Sequence, residues 1–202
     1  MYCARLIATS LLATAFSAST VVPAFAQKPG PQFWRRLSCE PLEPRTKLEA
    51  FEERYGTVIM KGFTQVTAIE VRGVRVDAVE LQDLPRATRA MGVVVVVGSG
   101  GEKPQENRAF IDYEEIDALL SGIDAVSKVN ESMTKLVGFE GKYRTLGDFE
   151  ITVFRQTRTG TAVSLTTGVC NQARVTMSLD DLARVRAMLV DAETKLDEAR
   201  QH

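Results

Sequence analysis

The spacing of apolar residues changes character several times along the chain, and each change marks a structural boundary. Leu48, Phe51 and Tyr55 recur at helical intervals after Pro44, a residue suited to a first helical position, and the run stops at Gly56. From Thr57 the pattern alternates and β-branched residues become dense. Val58 to Met60 together with Val66 to Val71 predicts one long strand interrupted at Gly62. Gly73 then turns the chain into Val74 to Val79, and Gly92 to Val97 predicts a third strand. The unbroken valines from Val93 to Val97 suit only a strand covered, or nearly covered, on both faces. Ser99-Gly100-Gly101-Glu102 marks a hairpin into Arg108 to Ile111, the fourth strand.

A helix follows. Asp112 stands where an N-cap belongs, Glu114 and Glu115 favour the positive end of the helix dipole, and Ile116, Leu119, Ile123 and Val126 form a stripe widened by Leu120. The same succession then returns. Phe139 to Thr145, Phe149 to Gln156, Thr161 to Thr167 and Arg174 to Met177 predict four more strands, and Ser178 caps a last helix striped by Leu182, Val185, Leu189, Ala192 and Leu196. One constant shift lays Asp112 on Ser178, Ile116 on Leu182, Leu119 on Val185 and Ile123 on Leu189.

The predicted class is therefore α+β: two antiparallel four-stranded β-sheet halves, each followed by a long helix, at about 57–130 and 138–200 of one globular domain spanning 44–202. A four-stranded sheet has one apolar face that a single helix covers only in part. The halves must share a core, with the helices near one another and at least one sheet face left to water.

Ahead of this domain, residues 1–26 read as a secretory signal. Arg5 supplies a sparse positive start, Leu6 to Phe16 an apolar stretch, and Ala24-Phe25-Ala26 small residues at a cleavage point after Ala26. The apolar stretch is too short and too rich in Ala, Ser and Thr to cross ~30 Å of hydrocarbon as a permanent helix. Residues 27–43, with Pro29, Pro31, Pro41 and Phe33-Trp34-Arg35-Arg36, read as an extended lead-in. The expected location is periplasmic or secreted, with no transmembrane segment once the signal is removed. The balance of 25 Lys and Arg against 26 Asp and Glu, a formal net charge of −1, disfavours nucleic acid as a partner.

The stretch Phe110-Ile111-Asp112-Tyr113-Glu114-Glu115-Ile116-Asp117 to Ile123, followed by Thr134-Lys135-Leu136 and Phe139-Glu140-Gly141-Lys142-Tyr143-Arg144-Thr145, resembles a group of uncharacterised exported bacterial proteins. The resemblance covers roughly residues 57–198 and implies no activity. In element order alone, four strands and a helix twice over is similar to the single-strand DNA-binding folds of the Whirly and PC4 type. The Lys-Gly-Lys-rich strand that marks Whirly proteins is missing here.

Reactive chemistry is sparse. The sole histidine is His202, the last residue, so Ser-His or Cys-His catalysis has no base and an imidazole zinc site no ligands. The acids Glu114, Glu115, Asp117, Asp124, Asp180 and Asp181 could in principle form an acid/base pair or a calcium site, but they lack the alternation around a Gly turn that a calcium loop needs, and their helix-start positions already explain them. Ser99-Gly100-Gly101 has no following Lys-Ser or Lys-Thr and precedes a strand, so it is a hairpin tip and not a phosphate loop. No catalytic residue, metal or cofactor is expected. If Cys3 leaves with the signal, Cys39 and Cys170 remain, either as a bridge in an oxidising compartment or as two inert thiols. A bridge would close a loop of about 130 residues and add ~4 kcal/mol by restricting the unfolded chain.

The positive feature is the open face of the second half. If Tyr143, Ile151, Val153, Leu165, Val175 and Met177 point inward, alternation exposes Lys142, Arg144, Glu150, Thr152, Phe154, Ser164, Thr166, Arg174 and Thr176. Lys142, Arg144, Phe154 and Arg174 on this Thr- and Ser-rich platform form a candidate binding face. The expected function is that of an exported, non-enzymatic interaction or envelope-associated protein with an unknown macromolecular partner. The alternative is binding of single-stranded nucleic acid or another polyanion on this face. The last stripe also permits self-association, but it is needed to cover a sheet, so a monomer is expected.

Overall fold

A computed structural model describes residues 43–66, 71–99, 105–156 and 160–201. The expected signal at 1–26, residues 27–42 of the expected lead-in, residues 67–70 of the first predicted strand and the predicted hairpin tip at 100–104 lie outside the described residues. The elements are α1 (Lys47–Glu52), β1 (Ile59–Gln65), β2 (Val74–Asp83), β3 (Thr88–Ser99), β4 (Gln105–Asp112), α2 (Ile116–Val126), β5 (Glu140–Arg144), β6 (Phe149–Gln156), β7 (Gly160–Thr167), β8 (Ala173–Met177) and α3 (Leu179–Arg200). They form two antiparallel meanders, ordered β1-β2-β3-β4 and β5-β6-β7-β8. No helix among the described residues is long and apolar enough to cross a membrane.

The two helices that end the halves are unequal, which corrects the expectation of a long helix after each sheet. α3 has 22 residues, whereas α2 has 11 after a single 3₁₀ turn, Tyr113–Glu115. Past Val126 only Val129 keeps the apolar spacing in the run Ser127 to Ser132, and the Asn130 side chain accepts from Ser132 N to start a separate short turn. α3 has what α2 lacks: the Ser178 and Asp181 side chains reciprocally satisfy each other's backbone amides in a capping box, and the stripe Leu182, Val185, Leu189, Ala192, Leu196 is buried throughout.

The helices exchange sheets. α2, which follows the first sheet, lies against β5 and β6 of the second. α3, which follows the second, runs along β2 and β3 of the first while touching β7 of its own. β3 in turn meets β7 and β8, so the inner faces of both sheets and both helix stripes close one shared core from Val74 to Leu196. Arg186 clamps Asp124 with two parallel hydrogen bonds of 2.7 and 2.8 Å, joining α3 to α2. Tyr113 donates to Asp197, and Arg200 stacks over the Tyr113 ring at 4.4 Å, tying the far end of α3 to the start of α2.

A second apolar cluster lies on the other face of the first sheet and explains the valine run. Val93, Val95 and Val97 enter the shared core, while Val94 and Val96 pack under Leu48 and Phe51 of α1. Burying Leu48 and Phe51 contributes ~1.5–3 kcal/mol each. α1 starts at Lys47 and not at the predicted Pro44, because Thr46 and Glu49 form a capping box. Asp112 adds two further caps to α1, accepting from Lys47 N at 2.7 Å and Leu48 N at 3.1 Å. The residue predicted to cap its own helix caps another one instead, and α2 has no side-chain cap. Tyr55, predicted on the α1 stripe, falls beyond its end and is exposed. β1 is an edge strand, exposed along all but Ile59.

Candidate binding face

Because β5 to β8 form a meander, each outward side chain has fixed neighbours on the next strand. The register aligns Arg144, Glu150, Thr166 and Arg174 in one transverse row, Lys142, Thr152, Ser164 and Thr176 in the next, and Glu140, Phe154 and Ala162 in a third. Strand alternation places all three rows on the face away from the core, while Ile151, Val153, Leu165 and Met177 point in, as predicted. Tyr143 and Val175 are also inward but only half-buried.

Three of the four predicted face residues converge on one hollow. Lys142, Phe154 and Arg174 line a depression of about 370 Å³, together with Phe139, Glu140, Arg155 and the hydroxyl row Thr152, Ser164 and Thr176. Arg144 is on the same face but outside the hollow: it turns to the β5–β6 turn, where it and Arg45 both pair with Asp148. Lys142 is held by two carboxylates, with Nζ 3.3 Å from an oxygen of Glu140 and 3.3 Å from one of Glu150. Arg155 pairs with Glu131 at 2.9 Å. Arg174 has no carboxylate partner among the described residues, and its Nε donates to Thr166 Oγ1 at 3.3 Å.

The platform differs from its prediction at two positions. Ser164 and Thr166, expected to be exposed, are 6% and 4% exposed, because short side chains in the middle strands are ringed by the longer ones around them. Thr166 is satisfied by Arg174, but the Ser164 hydroxyl is buried with no hydrogen-bond partner. Most buried hydroxyls are paired, so this position stands out. Phe139, Glu140, Arg155 and the orphan state of Ser164 escaped the sequence reading. Glu140 was within reach of it, since continuing the β5 alternation one step beyond Lys142 puts Glu140 in the third row, whereas the same alternation turns Phe139 toward the core.

An exposed apolar loop is anchored beside the hollow through Arg155. Arg155 Nη1 donates to the Val137 carbonyl at 3.2 Å and Arg155 N to the Phe139 carbonyl at 3.2 Å, fixing the α2–β5 loop beside β6. That loop exposes Met133, Leu136 and Val137. A second hollow of about 370 Å³ adjoins α1, but most of its charged groups are already engaged: Glu49 caps α1, Glu52 pairs with Lys61 and Arg108, and Asp148 with Arg45. Four of the six predicted acids are likewise in structural use, Glu114 with Lys47, Glu115 with Leu146 N, Asp124 with Arg186, and Asp181 with Ser178 and Arg72. Cys170, after β7, is disulfide-bonded, and its expected partner Cys39 lies outside the described residues. No family model, curated protein or solved structure matches the chain.

Proposed function

We propose that the protein is an exported, non-enzymatic binding module that meets an envelope macromolecule through the outer face of its second sheet. The observation that carries this reading is the hollow on that face, which combines a guanidinium without a carboxylate partner among the described residues, an unpartnered hydroxyl and two phenyl rings with a neighbouring loop exposed at Leu136 and Val137. Several other charged clusters among the described residues are closed on themselves, as Arg54 and Arg86 are on Asp83 and Lys61 and Arg108 on Glu52. On this face uncommitted polar groups and exposed apolar area adjoin.

The polyanion reading of the same face is less well supported. A nucleic-acid groove needs several uncommitted cations along its length. Of the cationic groups predicted for this role, Lys142 and Arg144 both have carboxylate partners, and only Arg174 does not.

Cosedimentation of the purified mature protein with isolated bacterial envelope fragments tests the reading. The unaltered protein is expected to pellet with the fragments, and a Val137→Asp/Thr176→Arg variant, changed only at exposed positions, to lose at least ~90% of that retention, a shift of about 1.4 kcal/mol in binding. Equal retention of both proteins, or none of either, overturns the assignment. Tighter, salt-sensitive binding to single-stranded oligonucleotide would move it to the polyanion reading.

A further inference from the structure

Resting on that assignment of the face, the geometry points to a more specific occupant: the hollow is a subsite for one acidic sugar of a glycan chain, a uronate whose carboxylate sits on Arg174 and whose ring hydroxyls reach Ser164 and the two glutamates. The floor carries the first indication. Ser164 is 6% exposed, lines the hollow, and its Oγ has no partner. A hydroxyl removed from water without a hydrogen bond is costly, and a ligand hydroxyl or carboxylate entering the hollow would supply the missing one. It stands at the centre of a row of hydroxyls between Thr152 and Thr176, a spacing suited to the repeated donors and acceptors of a sugar ring.

Charge sets the class of sugar. Lys142 and Arg155 are neutralised by Glu140, Glu150 and Glu131, which leaves Arg174 as the one lining cation without an acidic partner among the described residues. Its guanidinium spends one N–H on Thr166 and keeps a planar fork that matches a carboxylate. A single negative charge is therefore matched. A DNA-type phosphate strand is matched less well, because within the strand its sugars carry no free ring hydroxyls to offer Glu140 and Glu150, which flank the same hollow. Those carboxylates instead accept from neutral hydroxyls, each with only one oxygen on Lys142. Phe154 and Phe139 offer apolar surface for the C–H face of the ring. The volume of about 370 Å³ lies near the lower end of the ~300–1,000 Å³ typical of small-ligand sites, suited to a short stretch of a chain that continues over the neighbouring apolar loop.

Titration calorimetry of the full mature protein with tetragalacturonate, cellotetraose and a single-stranded oligothymidylate, backed by backbone NMR, tests this. Tetragalacturonate is expected to bind with amide shifts confined to β5 to β8. Ser164→Ala should weaken it about tenfold without lowering the melting temperature, since no hydrogen bond within the fold is lost. Arg174→Gln should abolish the preference for the uronate over cellotetraose. Equal binding of the neutral and acidic oligomers, or a preference for oligothymidylate, overturns the uronate subsite. So does the absence of glycan binding, which leaves the broader assignment standing if envelope retention is still lost in Val137→Asp/Thr176→Arg and removes both if it is not.

Discussion

At Glu115 a structural hydrogen bond and an electrostatic cost meet in one side chain. Its Oε1 accepts from Leu146 N at 2.8 Å, which fixes the β5–β6 turn against the start of α2, while Oε2 is buried with no partner. Burial pushes the carboxyl above its usual range, the Leu146 hydrogen bond partly offsets this, and Asp112 and Glu49 add to the rise. A folded-state pKa above the unfolded value of ~4.3 means the protonated form is favoured on folding. The stabilisation is complete below the unfolded pKa and is lost as pH rises through the folded one. Glu115→Gln is therefore expected to melt higher than the unaltered protein at pH 8, and the gap should close at pH 4; a gap that is constant or reversed contradicts the assignment. Asp83 shows the opposite sign. Burial pushes it up, but Thr57, Arg86 and Arg54 donate to it and hold it well below the usual carboxylate range, so its contribution is lost only as pH falls. The sequence placed Glu115 correctly in a first turn, where an acid suits the dipole. Its real partner is 31 residues away, and no local pattern encodes that.

Helix α2 illustrates how element-level preferences yield to a neighbour. Gly122 lies in its interior, where glycine costs ~1 kcal/mol relative to alanine, so propensity alone predicts that Gly122→Ala stabilises the protein. The packing predicts the reverse. A Cβ at Gly122 would lie 2.5 Å from the Tyr143 ring of β5, too close for either group to remain in place. Gly122→Ala is expected to destabilise by about 1–3 kcal/mol in urea unfolding, as overpacked cores do. Combining it with Tyr143→Leu should recover much of that loss, whereas simple additivity would show that the ring is not the obstacle. The strands were readable because alternation, β-branched density and turn residues agree over β2, β3 and β5 to β8. So was α3, from its Ser178 cap and unbroken stripe. The short reach of α2 was not, because Val129 continues the apolar spacing while Asn130 redirects the backbone into another turn.

For the molecule as a whole, the constant shift between halves revealed a doubled plan but not who covers whom. An amphipathic stripe states that a face is buried and leaves its partner open. The short joins decide it: only Ser178 separates β8 from α3, and the 3₁₀ turn at Tyr113 follows β4 directly. Each helix leaves its sheet at an edge strand without a loop to reverse it, and runs onto the facing sheet. The consequence concerns folding. A lone half would expose the inner face of its sheet and a helix stripe that belongs on the other half, so neither half has a complete core. Fragments 27–134 and 135–202, cut in the exposed α2–β5 loop and kept reduced, are expected to lack a cooperative melt when separate. Mixed at equal concentration, they should regain the strand and helix signals of the intact chain with a single transition whose midpoint rises with concentration. A cooperative melt from either fragment alone would mean that the exchanged helices decorate two independent units. A transition only in the mixture would make the exchange the bond that holds the sheets, and with them the hollow on β5 to β8, in place.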